Sequence, residues 1–203
     1  MQETSQPPKL PHTVGLTGGI ACGKSTVCRL LAARGWRVIE TDQLGRECLQ
    51  PGHEGYKKVV DAFGPSILNT DKSVDRSRLG RIVFFDTAQR ERLNSILHPI
   101  IRNLWQRQLQ THVASQPGIP AVVEIPLLFE TAAEPWFART VTVGCSPEQQ
   151  FRRMRDRGWD QEEADRRLTA QWPLAEKMKQ SDHVIWNDGT PALLQAQLER
   201  IPV

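Results

Sequence analysis

The stretch Gly15–Thr26, GLTGGIACGKST, decides the fold. Gly18, Gly23, Lys24 and Ser25 fit G-x-x-x-x-G-K-[S/T], and the flanks suit it. Val14 and Leu16 lie in a short strand-like run, while Val27, Leu30 and Leu31 within Ser25–Arg34 recur at i, i+3, i+4 and predict a helix. Strand, glycine loop and helix is the order that a phosphate site requires. The glycines let successive backbone N–H groups converge on phosphate oxygens, and the helix N-terminus adds positive potential. On this reading Gly18, Gly19, Ile20, Ala21, Cys22, Gly23, Lys24, Ser25 and Thr26 form the cradle, with Lys24 directed to the β- and γ-phosphates and the Ser25 hydroxyl suited to Mg²⁺. The alternative, a mere tight turn, is disfavoured by the intact pattern and its flanks.

A cradle does not name a reaction, because switches, small-molecule kinases and motors share it. A guanine-reading switch is expected to carry Asn-Lys-x-Asp, and no Asn-Lys pair occurs in the chain. Beyond the first helix, Gly35 is a stop, Trp36–Ile39 reads as a second strand, and Glu40, Thr41 and Asp42 project where it ends. Asp42 is then either a general base for an acceptor hydroxyl or the N-cap of a helix over QLGREC; the residues alone leave both open.

The rest of the chain is consistent with one α/β domain. At 203 residues, 39% hydrophobic and 24% charged, with a formal charge of +3, it carries no bulk attraction for nucleic acid or membrane. Cys22, Cys28, Cys48 and Cys145 form no CxxC pair, so free thiols in a reducing compartment are expected. Met1–Pro11 lacks the apolar run of a signal peptide, and the expectation is a cytoplasmic protein with a frayed tail over 1–11. Between Gln43 and about Ser115 no strand pattern appears; YKKVVDAF, SRLGRIVFF and ERLNSILHPIIRNLWQRQLQ predict successive helices, with a kink or new start at Pro99. Strands return at Ala121–Ile125, Thr140–Gly144 and His183–Asn187, and a last helix covers PALLQAQLER. These β-branched runs between helices predict a parallel sheet covered on both faces.

Several other positions carry two readings. Gln149–Gln171 holds Arg152, Arg153, Arg155, Arg157, Arg166 and Arg167; Arg153 and Arg157 share a helix face suited to triphosphate oxygens, whereas pairing with Asp156, Glu162 and Glu163 would make a solvated helix. Glu124 ends a strand, either to hold Mg²⁺ through water or as a plain exposed carboxylate. His98 before Pro99 reads as a packed core histidine rather than a catalyst, and Pro126, Leu127 and Leu128 fit a helix start with proline in its first turn. Asn187–Gly189 fits an ordinary turn.

Taken in order, VGLTGGIACGKST, VIETDQLGRE, VDRSRLGRIVF, LHPIIR, IPLLFE and QWPLAEKMKQSDHVIWNDG resemble the dephospho-coenzyme A kinase family from about Val14 to Gly189. The loop is shared with unrelated proteins, but the ordered HP, PLLFE, Q-x-P-x-x-x-K and D-H-V-I-x-N-x-G series is far more specific. The resemblance implies a P-loop NTPase-type three-layer α/β fold: a five-stranded parallel sheet (12–52, 116–148 and 172–203), a helical acceptor-binding insertion (53–115) and a small arginine-rich lid (149–171). It implies transfer of the γ-phosphate of ATP, with Mg²⁺, to the ribose 3′-hydroxyl of dephospho-coenzyme A, a small-molecule partner, with neither nucleic acid nor membrane involved and a monomer as default. Asp42 would be the base, Lys24, Arg153 and Arg157 would stabilise charge, and Ser25 and Glu124 would serve the metal. His98, Arg102, Pro126, Leu127 and Leu128 would meet the acceptor, and Asn187 and Gly189 would lie beside adenine. The alternatives are another small-molecule or nucleoside kinase, or a nucleotide-dependent binding switch.

The chain departs from the family at Glu40 and Thr41, where the family's motif reads Asp-Ala, and at Ala21 and Cys22, where it usually has Gly and Ser. A loop geometry that keeps Ala21 at negative φ is expected, because an alanine Cβ disfavours the left-handed region. Cys22, at a helix N-terminus, is expected to have a lowered thiol pKa and to be shielded from alkylation by ATP.

Overall fold

The computed structural model describes residues 9–201. In chain order its elements are β1 (Leu10–Gly18), α1 (Lys24–Ala33), β2 (Arg37–Glu40), α2 (Thr41–Cys48), α3 (Glu54–Phe63), α4 (Arg76–Phe85), α5 (Thr87–Ser115), β3 (Ala121–Glu124), β4 (Phe137–Gly144), α6 (Pro147–Arg155), α7 (Gln161–Thr169), α8 (Leu174–Gln180), β5 (His183–Trp186) and α9 (Pro191–Leu198). They form two compact units, one of residues 40–108 and one of the remainder.

In the larger unit the strands form one sheet in the order β2-β3-β1-β4-β5. β1 is its central strand, parallel to β3 on one side and to β4 on the other, and β4 is parallel to β5. Val14, Leu16, Val122, Val141 and Val143 are fully buried, as strands covered on both faces must be. Cys22, Val27, Cys28 and Leu31 pack against them from the loop and α1, Leu194 and Leu198 from α9, and Ile201 from just beyond it. The five expected strands are all present.

The expected tail over 1–11 is shorter than the sequence suggests, because Leu10 and Pro11 already belong to β1. Leu10 pairs with Phe137, across a register shift that ends at Val14. Residues 1–8 of that tail lie outside the described residues. Pro99 does not break α5, which runs unbroken from Thr87 to Ser115.

The smaller unit is helical and starts at Glu40, so α2 belongs with it and the boundary lies earlier than the expected 53. Its core gathers Cys48, Val59, Ile67, Val74, Leu79 and Leu97. Among the described residues no helix is long and apolar enough to cross a membrane.

Candidate functional site

The loop after β1 has the shape that its glycines predict. Gly18 has φ 152, and a Cβ there would lie 2.3 Å from the Val143 carbonyl oxygen, so only glycine lets the loop leave the sheet so close to β4. At Gly23 (φ 101) a Cβ would lie 2.1 Å from Asn187 Nδ2. Lys24 and Ser25 open α1, and Lys24 Nζ donates to the Gly18 and Gly19 carbonyls at 3.2 and 3.0 Å. Ser25 is exposed.

Three side chains pin the next carbonyls. Gln150 Nε2 donates to the Ile20 oxygen at 2.7 Å, Arg153 to the Ala21 and Cys22 oxygens at 3.4 and 3.2 Å, and Asn187 Nδ2 to the Cys22 oxygen at 2.8 Å. A peptide whose carbonyl is held on one side presents its N–H on the other, so this clamp turns the loop amides toward the cradle. Arg153 also donates to the Asn187 carbonyl at 2.7 Å, joining the clamp to the end of β5. Gln150 and Arg153 come from α6, whose N-cap Ser146 accepts from Gln149 N–H. Met154, on the same helix, packs with Ala21 and Ala164. The first half of the expected lid is therefore a wall of the cradle, and Arg153 is committed to backbone oxygens rather than poised to swing. Gln150 escaped the sequence reading because nothing in its surroundings marks it apart from other glutamines on an arginine-rich helix.

Ala21 has φ 57, so the expectation of a negative φ is wrong. The cause lies in the sequence of constraints: Cys22 N–H bonds back to the Gly19 oxygen at 3.3 Å while Gly23 begins the helix, and Ala21 must make the turn between them. Cys22 is fully buried, its sulfur 3.3 Å from that of Cys145. Its thiol is held below the ordinary range, first by the hydrogen bond from Cys145 and then, against burial, by Lys24. The hydrogen bond to the Cys22 sulfur, then burial, pushes Cys145 the other way. The neighbouring thiol is the main influence lowering Cys22, and the fold itself covers it.

The other expected site residues are dispersed. Arg157 is exposed, 5.7 Å over the Trp159 ring, and Arg166 and Arg167 pair with Glu162 and Glu163 at 2.6 and 2.7 Å, as a solvated helix predicts. Glu124 ends β3 and its Oε2 accepts from Cys28 Sγ at 3.6 Å. The segment from Pro126 to Thr131 is a run of turns rather than a helix start. Leu128 is fully buried and fills the core instead of lining a pocket. The Pro126 carbonyl accepts from Thr17 Oγ1 at 3.0 Å and from Lys177 Nζ at 2.6 Å. Lys177, fully buried, also pairs with Glu130 at 2.9 Å, and Glu130 accepts from Trp172 N–H at 2.9 Å. This buried ion pair ties the PLLFE turns to α8; the Q-x-P-x-x-x-K spacing marks the lysine, but its partner is legible only in three dimensions. Asn187 is buried, while Gly189 is exposed in the connection between β5 and α9.

Within the helical unit Asp42 is the second residue of α2. The N-cap is Glu40, and no side chain caps the helix, so the N-cap reading of Asp42 is wrong. Asp42 is exposed and lines a cleft of about 250 Å³ with Thr41, Gly45, Arg46, Leu49, Arg76, Leu97 and Ile101. Two guanidiniums thus share the cleft with one carboxylate. Arg46 and Arg76 escaped the sequence reading, since single arginines on amphipathic helices usually face solvent. His98 and Arg102, one residue on from Leu97 and Ile101, are not among the cleft's lining; helical geometry turns neighbouring side chains about 100° apart. Burial, then Arg102, holds the His98 imidazole below its usual pKa, which suits a packed neutral ring.

The sequence pattern of the dephospho-CoA kinase family matches residues 12–192. A dephospho-CoA kinase of Geobacillus kaustophilus is 44% identical over 188 residues, covering 92% of each chain. Among solved structures, the chain is similar to TT1252 from Thermus thermophilus (TM-score 0.75, 30% identity, 94% and 93% of the two chains). It is also similar to a dephospho-CoA kinase from Campylobacter jejuni (TM-score 0.63, 26% identity, 94% and 95%). With a glycine loop clamped at its carbonyls between β1 and α1, and with that match running from β1 to the start of α9, the chain belongs to the dephospho-CoA kinase family.

Proposed function

We propose that the chain moves the γ-phosphate of ATP to the ribose 3′-hydroxyl of dephospho-coenzyme A, giving coenzyme A and ADP, the last step of coenzyme A synthesis. The observation that carries this reading is the clamp of Gln150, Arg153 and Asn187 on the Ile20 and Cys22 carbonyls, which turns the Ala21 and Gly23 N–H groups of the same peptides toward phosphate oxygens. Phosphoryl transfer through a loose transition state asks for positioning and charge stabilisation more than covalent chemistry. Lys24 supplies charge at the β- and γ-phosphates, exchanging two backbone acceptors for phosphate oxygens. Arg157, exposed on the arginine-rich segment, closes over the triphosphate. Asn187 and Gly189 flank the adenine.

Asp42 orients the acceptor hydroxyl and takes its proton, and a positioned base of this kind contributes about 10²–10⁴ in rate. Arg46 and Arg76, in the same cleft, hold the anionic phosphates of the acceptor. The Ser25 hydroxyl and the Glu124 carboxylate are hard oxygen donors of the kind Mg²⁺ takes, Glu124 most simply through water. A Mg²⁺ held there would supply the positive charge that phosphoryl transfer needs at its developing negative charge.

Release of ADP from ATP, measured with dephospho-coenzyme A and with a panel of nucleosides, tests the assignment. Turnover with dephospho-coenzyme A alone, lost in Lys24→Ala, is expected. Turnover with a nucleoside in preference, or nucleotide binding with no acceptor-dependent ADP, would replace it with a different kinase or with a switch.

A further inference from the structure

The cradle holds a feature that phosphate transfer does not use. Cys22, in the middle of the loop, and Cys145, immediately after β4, are distant in sequence, yet their sulfurs are 3.3 Å apart, and both side chains are buried. A disulfide requires about 2.0 Å between sulfurs. The gap to close is little more than 1 Å, which side-chain rotation and a small loop movement can supply.

We propose that Cys22 and Cys145 are an oxidative modification site: a peroxide converts them to a disulfide that disables the nucleotide cradle, and a thiol reductant restores it. The step balances. The Cys22 thiolate attacks one oxygen of hydrogen peroxide, the O–O bond breaks, and hydroxide leaves and takes up the thiol's proton as water. Cys22 is then a sulfenic acid. The Cys145 sulfur attacks the Cys22 sulfur, the S–S bond forms as the S–O bond breaks, and the second hydroxide leaves as water with the Cys145 proton. Two thiols lose two electrons, and one peroxide becomes two waters.

The surroundings suit this chemistry. Lys24 and Arg153 lie close enough to favour a Cys22 thiolate, and the resolving thiol is already in contact with it. Cys28 meets a carboxylate, Glu124, instead of a thiol, and burial, with Glu47 beside it, raises the Cys48 pKa. Hydrogen peroxide is hardly larger than water, so a local opening of the loop admits it where bulky alkylating agents are held off.

Closing the bond draws Cys22 toward β4. Its carbonyl carries the bonds from Arg153 and Asn187, and its Sγ lies 3.7 Å from Gln150 Nε2, so the clamp cannot stay as it is. A displacement near 1 Å in a cradle that must place a triphosphate costs up to about 10² in rate. The loss of turnover rests on the kinase reading; the disulfide itself does not.

The test treats the full-length reduced protein with hydrogen peroxide and follows three readouts: unreduced peptide mass spectra, equilibrium binding of ATP, and ADP release with dephospho-coenzyme A. Expected are a linked peptide pair containing Cys22 and Cys145, weaker ATP binding, and at least a tenfold loss of turnover that dithiothreitol reverses. Cys145→Ser and Cys145→Ala, each compared with its own untreated sample, should show no reversible loss. Cys22 passing to sulfinic acid with no linked pair, a pair using other cysteines, or linked protein that binds ATP normally would overturn the proposal. A linked pair with weakened ATP binding, in a protein that never turned over dephospho-coenzyme A, would count against the kinase reading alone.

Discussion

Ala21 and Asp42 are the residues on which local chemistry weighs most. Ala21 carries a Cβ at φ 57 in a position the loop's hydrogen bonds impose, and the left-handed region costs an L-residue about 1–2 kcal/mol relative to its preferred conformations. Ala21→Gly relieves that cost but frees the unfolded chain, so a net gain of about 0.5–1 kcal/mol is expected, read as a higher urea midpoint with unchanged slope. A lower midpoint would mean that packing of the methyl against Met154 outweighs the strain. Asp42→Asn should lower kcat by about 10² or more with ATP affinity intact, because the substitution leaves the cradle untouched. Near-normal turnover in that variant would require a different base. The sequence pointed to both residues for sound reasons, misjudged the backbone of Ala21 and left two readings of Asp42 open, of which the structure removes the N-cap. Ala21 took the positive φ that a glycine-preferring position demands, and Asp42 lies inside the first turn of α2 instead of capping it.

Two elements do distinct structural work: α6 grips the cradle by its polar face, and α8 ties down the PLLFE turns by a buried charge. Gln150→Ala leaves the Ile20 carbonyl without its 2.7 Å donor, and an unsatisfied buried acceptor costs about 1–3 kcal/mol. The expected result is an ATP KM raised about tenfold, with a smaller change in kcat measured at saturating ATP. An unchanged KM would show that the amides keep their orientation without the clamp. On α8, burial lowers the pKa of Lys177 against the opposing pull of Glu130. Lys177→Met should destabilise the protein by about 3–5 kcal/mol, because it strands a buried carboxylate, and adding Glu130→Gln should recover part of the loss. Equal denaturation midpoints for the single and double variants would contradict that coupling. The elements themselves were largely legible: loop and helix from the glycine pattern, strands from β-branched runs, helices from their period. The role of α6 was not, because its arginines suggested a mobile lid, while its two buried residues, Gln150 and Met154, decide its packing. Continuity of α5 across Pro99 was also hidden, since an internal proline reads as a kink or as a new start and sequence alone does not choose between them.

At the scale of the whole molecule, stability against acid is set in part where β4 meets the turn before β5. Asp182 accepts from the Thr140 N–H at 2.7 Å and from its hydroxyl at 2.9 Å. Burial would raise the pKa of this carboxyl, but the bonds from Thr140, with Lys9 and Arg139 nearby, outweigh it and the net shift is downward. A carboxylate with a lowered folded-state pKa contributes stability above its unfolded value of about 3.9, and that contribution disappears as pH falls through the lower folded value. Asp182→Asn should therefore be less stable than the parent at pH 7 and lose less on going to pH 3, a difference that urea midpoints at the two values would reveal; parallel losses would contradict it. The division into two units was visible as a strandless stretch between two strand-bearing ones, although its start at Glu40 was not, since the chain passes from β2 to α2 with no glycine or proline to mark the change. The central proposal is that a clamped ring of backbone amides delivers a terminal phosphate and that Asp42 readies a sugar alcohol to receive it. Phosphorus NMR of the product formed from ATP and dephospho-coenzyme A measures this most directly. The account predicts one new phosphate monoester on the ribose 3′-oxygen, formed by the parent and at least a hundredfold more slowly by Asp42→Asn; phosphate released to water, or attached elsewhere on the acceptor, would contradict it.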